Sequence, residues 1–257
     1  MWRFLVIFVT AVAPGAELRP KTLAIYEDYW RSVDQELQSR RHFLRVDGTG
    51  GRDRLRQGEI LIQERRSPKD PPDGLIHHWE GSIFLPSVSV RQVLDLVQNY
   101  NQHKHVYRPE VMDSQTLSRS GEEFRVRLRL LKRRIVTVVL ETEHRVRYRK
   151  ISDRKWESVS RSTKIAEVEG AGSKREAELA PDTGHGYCWR LDSFWRFEEA
   201  DGGVYLECSS LSLSRDIPFG MSRLLRPIIS ELPEASLRSV LEQTRRALLP
   251  KTFPALD

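Results

Sequence analysis

The sequence is poor in cysteine and lacks the short motifs that mark common catalytic centres. Its 257 residues include two cysteines and contain no Gly-rich phosphate loop, no nucleophile elbow and no His-Glu-x-x-His pattern. Internal repeats and low-complexity tracts are absent as well. These absences remove the sequence signatures of nucleotide-binding loops, serine hydrolases and zinc proteases. Function must therefore be sought in the order of the predicted elements and in the residues on their faces.

The two cysteines lie on strands that we predict to form one hairpin, turning near Asp201–Gly203. In that hairpin Cys208 lies opposite about Trp195, so it is offset from Cys188 by about seven residues, or roughly 23 Å at the rise of a strand. A disulfide requires Cα atoms within about 7 Å of each other. We therefore expect two free, half-buried thiols.

The apolar stretch at the N-terminus is too short to cross a bilayer, which needs roughly 20 residues. Met1–Ala16 combines one early arginine, this stretch and small residues near its end, which is typical of a secretory signal. A mis-assigned start codon and a buried N-terminal strand are the alternatives. We expect a secreted or periplasmic protein, with membrane association as a further option. The formal net charge of +6 suits anionic partners such as an anionic membrane surface.

The organisation that we predict has three parts: a signal at residues 1–16, an N-terminal helix and linker at 17–72, and a main domain at 73–257. Apolar residues at three- and four-residue steps predict a helix over Pro20–Arg41. A glycine-containing stretch, Val46–Arg56, indicates a loop, and Gly58–Glu64 indicates a short strand. The Pro- and Gly-containing segment Ser67–Gly74 marks the boundary of the main domain.

The main domain reads as one strand, a helix, a series of antiparallel strands and a closing helix. The predicted elements are Leu75–Leu85, a helix capped by Ser89 or Ser87 and reaching Tyr100, the strands Phe124–Leu130, Val136–Tyr148, Trp156–Glu169, Tyr187–Glu198 and Val204–Ser214, an apolar segment Phe219–Leu232, and a helix from Pro233. Pairing Leu130 with Val136 aligns the apolar faces of the second and third strands and puts Arg125 across from Glu141.

Several stretches resemble the START-like (SRPBCC) superfamily, which includes the polyketide cyclase/dehydrase and coenzyme-Q-binding groups. The stretches that carry the resemblance are Trp79–Phe84 followed by Pro86, Val90–Tyr100, His105–Val111 leading into Ser114 and Leu117, and Pro218–Gly220. The resemblance covers Gly74 to Leu249. It implies an α+β helix-grip fold, in which a curved antiparallel sheet surrounds a long C-terminal helix and encloses a deep cavity. Members bind lipids, sterols or polyketides, and a minority catalyse cyclisation.

The predicted cavity wall is an aromatic face on one strand, completed by residues of neighbouring strands and of the closing helix. Its candidate residues are Leu128, Leu140, His144, Tyr187, Trp189, Ser193, Trp195, Phe197, Leu237 and Leu241. Ordinary core packing is the alternative. In one hairpin register Ser210, Ser212 and Ser214 face the same side as the tryptophans and leave space beside them, whereas a slip of one residue replaces them with leucines.

Other polar residues have open interpretations. His144 would be a polar contact to a ligand, a base, or a hydrogen-bonded core histidine. The pairs His77–His78 and His103–His105 have the spacing of metal ligands but lack cysteine or carboxylate partners, so we expect no metal.

A row of arginines on the strands from Arg125 to Arg149 forms either a solvated outer face or a surface that attracts membranes. It lacks interleaved aromatic residues for base stacking, and we expect no nucleic-acid partner.

The sequence therefore predicts binding of a hydrophobic or amphipathic small molecule in a START-like cavity. A polyketide cyclase or aromatase type of enzyme and a membrane-surface module are the alternatives. No acid/base pair can be placed from the sequence, so no catalytic residue and no cofactor is predicted.

Overall fold

The computed structural model describes residues 16–133, 137–216 and 222–249. Residues 1–15, which carry most of the predicted signal, lie outside the described residues, as do residues 219–221 of the predicted apolar segment. The helices are α1 (Pro20–Ser39), α2 (Gly51–Arg56), α3 (Val90–Val97), α4 (His103–Val106) and α5 (Ser222–Leu248), with 3-10 turns at Arg45–Gly48 and Tyr100–Gln102. The strands are β1 (Leu61–Arg65), β2 (Gly74–Pro86), β3 (Val111–Ser120), β4 (Glu123–Arg133), β5 (Thr137–Ser152), β6 (Lys155–Glu169), β7 (Ala177–Glu178), β8 (Arg190–Ala200) and β9 (Gly203–Arg215).

The local signals in the sequence place α1 and α3 correctly. Proline stands at the first position of α1, where its missing N–H costs nothing, as the sequence predicts. Ser89 caps α3: its Oγ accepts from the Gln92 N–H at 3.3 Å, and Gln92 Oε1 accepts from the Ser89 N–H at 2.9 Å. The predicted loop over Val46–Arg56 is wrong, because Leu55 and Val46 are buried and the chain folds there as a 3-10 turn and α2.

The strands described form one antiparallel sheet of nine strands in the order β1-β2-β9-β8-β6-β5-β4-β3, with β7 paired to β6. β1 pairs with β2 through Leu61 and Ser82. The sheet therefore begins before the boundary predicted at residue 73, and the N-terminal segment is continuous with it.

The predicted register of the β4–β5 hairpin is wrong. Leu130 pairs with Leu140 rather than Val136, and Arg125 faces Arg145 rather than Glu141. β4 continues through Lys132 and Arg133, which the sequence suggested as the turn. A shift by an even number of residues preserves which side chains face inward, so the apolar faces still coincide.

The register of the β8–β9 hairpin agrees with the prediction. Trp195 lies opposite Cys208, and both cysteines are free thiols. Cys208 is buried rather than half-buried, because it lies on a central strand of the sheet.

The two faces of the sheet have different cover. We call the face toward α5 the inner face and the opposite one the outer face. On the outer face α1 packs Tyr26, Val33 and Leu37 against strand residues that include Leu211 and Leu213. Ion pairs reinforce this cover, among them Arg40–Glu207 at 2.6 Å and Arg45–Glu80 at 2.6 Å.

On the inner face α5 packs against β2 where glycine replaces a side chain. A Cβ at Gly81 would lie 2.7 Å from Leu241 Cδ1 and 3.0 Å from Leu237 Cδ2. The helix begins at Ser222 and not at Pro233 as predicted, so its backbone includes most of the apolar segment that we expected to be separate. None of the helices in the described part of the chain has the length and apolar character that a membrane span needs.

Candidate ligand cavity

A cavity of about 230 Å³ lies between the inner face of the sheet and α5. Its lining comes from β3, β4, β5, β6, β8 and β9, from α5, and from the helical segment that precedes β3. Six strands can face one cavity only if the sheet curves around it. The cavity is therefore a product of the sheet's curvature and of the helix that closes its open side.

Six of the residues predicted from the sequence line this cavity: Leu128, His144, Ser193, Trp195, Phe197 and Leu237. Trp195 and Phe197 stack with ring centroids 6.2 Å apart and an interplanar angle of 8°. These two rings form an apolar wall. Period-two alternation along β8 was the signal that identified them.

The other four predicted residues lie elsewhere. Leu140 packs in an adjacent core cluster with Tyr107, and Leu241 packs against Gly81. Trp189 is buried under α1 on the outer face, and Tyr187 is 42% exposed. Trp189 and Tyr187 do not face the cavity because β8 begins only at Arg190. The alternation that places Trp195 inward therefore does not extend back to these two residues.

Serines form a row across the inner face. Ser193 pairs directly with Ser160 of β6 and with Ser210 of β9, and all three line the cavity with Ser158. Of the serines predicted on β9, Ser210 faces the cavity, whereas Ser212 and Ser214 lie beyond its lining. Ser158 and Ser160 were not among the residues predicted to line the cavity, although the polar alternation of their strand is visible in the sequence.

One end of the cavity carries a charged pair of residues. Lys132 Nζ donates to Ser236 Oγ at 2.9 Å, and Glu110 accepts from Ser239 and Gln243 at 2.7 and 2.9 Å. Burial lowers the pKa of Lys132. Burial would raise the pKa of Glu110, but its two hydrogen bonds lower it overall. This end therefore presents an amino group and a carboxyl group beside the cavity.

Tyrosines form a second polar group in the lining. The hydroxyls of Tyr100 and Tyr148 lie 2.8 Å apart, and the hydroxyls of Tyr107 and Thr244 lie 3.1 Å apart. His103 Nε2 donates to the carbonyl oxygen of Val97 at 3.1 Å, and burial lowers the pKa of His103 to about 4. These groups are paired with each other, so they mainly hold the helical segment before β3 against the sheet.

The metal pattern suggested by the paired histidines does not form. His103 and His105 lie on α4 and not on a strand, so residues two apart do not share a face. His78 faces outward between Tyr29 and Ser209, while His77 contacts Ser214.

Within the described ranges, no three or more His, Cys, Asp or Glu side chains are placed to hold a metal ion.

His144 lies inside the cavity wall with one nitrogen free. Thr142 Oγ1 donates to the carbonyl oxygen of Leu128 at 3.0 Å, so its oxygen accepts from His144 Nε2 at 3.0 Å. Nε2 therefore carries the proton, and Nδ1 is an acceptor with no partner in the described part of the chain. Burial lowers the pKa of His144 to about 4, which keeps the ring neutral.

The arginine face predicted from the sequence is largely neutralised. Glu141 accepts two hydrogen bonds from Arg127, each of 3.0 Å, and one of 2.8 Å from Arg129. Arg125 pairs with Glu143 at 3.3 Å. The register places Glu141 opposite Arg129 and diagonally beside Arg127. It also places Glu143 diagonally beside Arg125, so these side chains form a network of ion pairs on the outer face.

The order of the elements and the position of the cavity decide the fold class. A strand and short helices precede a run of antiparallel strands, and the closing helix bounds a cavity against their inner face. The fold is a START-like helix grip. The sequence resemblance implied this START-like architecture.

Solved structures with a related architecture include a STAR-related lipid transfer protein from Xanthomonas axonopodis, at 18% identity over 72% of this chain and 93% of that one, with a TM-score of 0.49. The Zhui aromatase/cyclase from Streptomyces sp. R1128 matches at 12% identity over 70% and 98%, with a TM-score of 0.46. The lipid transfer and protein localization domain of human StarD13 matches at 10% identity over 81% and 99%, with a TM-score of 0.46. At these values the likenesses concern architecture and carry no information about the ligand.

No protein-family model and no curated protein matches the sequence.

Proposed function

We propose that this protein binds an amphipathic, mainly apolar small molecule in the cavity between the sheet and α5. The observation that carries the proposal is the cavity itself. Close packing leaves few voids larger than a water molecule in a protein interior, so a space of about 230 Å³ requires an explanation. Small-molecule sites are typically concave and apolar with a few polar groups, as this one is.

The size of the cavity limits the ligand. An engineered apolar cavity of about 150 Å³ in another protein binds benzene. A volume of about 230 Å³ is therefore suited to a two-ring compound or a short branched chain rather than to a long lipid held entirely inside. Trp195 and Phe197 supply the apolar wall, while Lys132 and Ser236 supply polar contacts at one end.

The test is binding of the fluorescent probe 1-anilinonaphthalene-8-sulfonate, followed by mass spectrometry of small molecules extracted from the purified protein. Leu128→Trp fills the cavity and is expected to reduce probe affinity at least tenfold. Leu117→Trp makes the same change at an exposed site and should leave affinity unchanged. Equal binding by both variants, or no binding by the native protein, contradicts the proposal.

A catalytic alternative depends on His144, which is the cavity histidine with a free acceptor nitrogen. General bases work best with a pKa near the operating pH. The pKa of His144 is lowered to about 4 by burial, so the ring is a weak base, and its unprotonated Nδ1 is open to accept a hydrogen bond. This favours binding over cyclisation chemistry.

A membrane-surface role depends on the exposed arginines Arg145 and Arg147. If the outer face attracts anionic lipid, replacing both with glutamate will abolish co-sedimentation with vesicles containing phosphatidylserine. The predicted N-terminal signal would place either activity in the periplasm or outside the cell. Export is tested by locating the protein in fractionated cells.

A further inference from the structure

The serine row is the part of the lining that core packing does not explain. Ser160, Ser193 and Ser210 lie side by side on three adjacent strands. Their hydroxyls make no hydrogen bond to any group in the described part of the chain, and all three residues line the cavity. All three residues are half-buried, so their hydroxyls are open to the cavity. A hydroxyl that is desolvated without a hydrogen-bond partner costs free energy. A plain apolar ligand would impose that cost on the row, whereas a ligand with polar groups would satisfy the hydroxyls.

His144 is a second and independent observation at the same cavity. It is 5% exposed, and its Nδ1 is an unpartnered acceptor because Thr142 fixes the proton on Nε2. His144 pairs across the sheet with Ser162, two residues along β6 from Ser160. The lining thus offers hydroxyls that donate or accept and one nitrogen that only accepts.

These groups are all uncharged, which sets the chemistry of their partner. An ionised ligand group requires an opposite charge or several charge-assisted hydrogen bonds when it is taken out of water. Of the charged residues of the lining, Lys132 and Glu110 belong to the separate network with Ser236, Ser239 and Gln243. The carboxylate of Asp192, also in the lining, is bound by Ser162, Tyr26 and Arg161. The serine row therefore fits neutral hydroxyl or carbonyl oxygens rather than a carboxylate or phosphate.

We propose that the serine row and His144 form a subsite for neutral oxygen groups, and that the ligand is an oxygenated ring compound rather than a plain hydrocarbon chain. This inference rests on the proposed function, because it assumes that the cavity takes up a small molecule. It specifies the ligand class as a two-ring compound that carries hydroxyl or carbonyl groups at the edge that meets β6, β8 and β9.

The test compares two probes of the same shape, naphthalene and 2,6-dihydroxynaphthalene, by isothermal titration calorimetry. The native protein is expected to bind the diol about fivefold to tenfold more tightly, since each hydrogen bond that a built site makes contributes about a factor of five. The double variant Ser193→Ala/Ser210→Ala is expected to lose this preference while binding naphthalene at least as well. Ser118→Ala, on an exposed edge strand, is the matched control and should keep the preference.

The outcomes separate this inference from the proposed function. If the native protein binds naphthalene but shows no preference for the diol, the subsite is refuted and the cavity function stands. If the double variant weakens both probes equally, the serines act on packing and the subsite is again refuted. If neither probe binds the native protein, both proposals fail. If the double variant is unstable, the single variant Ser160→Ala in the same row is tested instead, and it is also expected to weaken the preference for the diol.

Discussion

Replacing Gly81 with alanine tests whether the grip of the sheet on α5 depends on this glycine. A methyl group there would lie 2.7 Å from Leu241 Cδ1 and 3.0 Å from Leu237 Cδ2, which is closer than carbon atoms approach without strain. Leu241 is fully buried and does not line the cavity, so it has little space to move into, whereas Leu237 borders the cavity. The contact with Leu241 must therefore be relieved by a shift of that side chain or of the helix away from β2.

The expected cost follows from two opposing effects. Overpacking a close-packed core typically costs about 1–3 kcal/mol. Substitution of glycine by alanine, where the backbone conformation suits alanine, stabilises a protein by about 0.4–1 kcal/mol because it reduces the conformational entropy of the unfolded chain. The net loss in the free energy of unfolding should be about 1–2 kcal/mol, which lowers Tm by about 3–6 °C for a chain of this size.

The assay is urea unfolding followed by tryptophan fluorescence, with Leu241→Ala as the second arm. Leu241→Ala alone should cost about 2–5 kcal/mol by leaving a cavity. In that background the methyl group at residue 81 has room, so Gly81→Ala should cost nothing or become stabilising. An equal cost in both backgrounds, or a stable Gly81→Ala variant, would refute the reasoning.

Three further predictions concern buried polar groups. Lowering the pH from about 6.5 to about 4 will reduce the contribution of His144 to the free energy of unfolding, because its pKa of about 4 means that the unfolded chain takes up the proton first. In urea titrations His144→Gln should make this part of the profile less steep, while His77, His78 and His103, whose pKa values are also lowered by burial, keep the rest of the slope. Arg161→Met will cost about 3 kcal/mol in urea unfolding, since it leaves the fully buried carboxylate of Asp192 without the guanidinium 3.0 Å away, and addition of Asp192→Asn should recover part of the loss. Cys188 and Cys208 will react with iodoacetamide at pH 8 only after unfolding, because burial raises the pKa of both thiols, that of Cys188 to about 12; rapid labelling of the native protein would show that the thiols are accessible.

Much of the fold could be predicted because its signals are local. Ser89 and Gln92 mark the start of α3, and Pro20 marks the start of α1, through hydrogen bonds and backbone angles that involve neighbouring residues only. The β8–β9 register was predictable because the tight turn near Asp201 fixes which residues face each other. The β4–β5 register was not, because Lys132 and Arg133 resemble a turn but extend the strand.

The candidate site was only partly predictable for the same reason. Trp195, Phe197 and Ser193 were found because alternation along a single strand places them on one face. Trp189 was misplaced because no local feature of the sequence shows where β8 begins. Lys132 was missed because its approach to Ser236 joins residues more than 100 positions apart.

The sequence by itself determined the types of the main elements, the faces of the strands and the absence of a motif-based catalytic centre, since these depend on short-range periodicity and residue identity. Tertiary structure alone decided which inner face closes into a cavity, how α1 covers the outer face, and that Ser160, Ser193 and Ser210 meet in one row. The physical reason is that strand pairing and the packing of α5 against Gly81 are set by contacts between segments far apart in the chain, which no local pattern encodes.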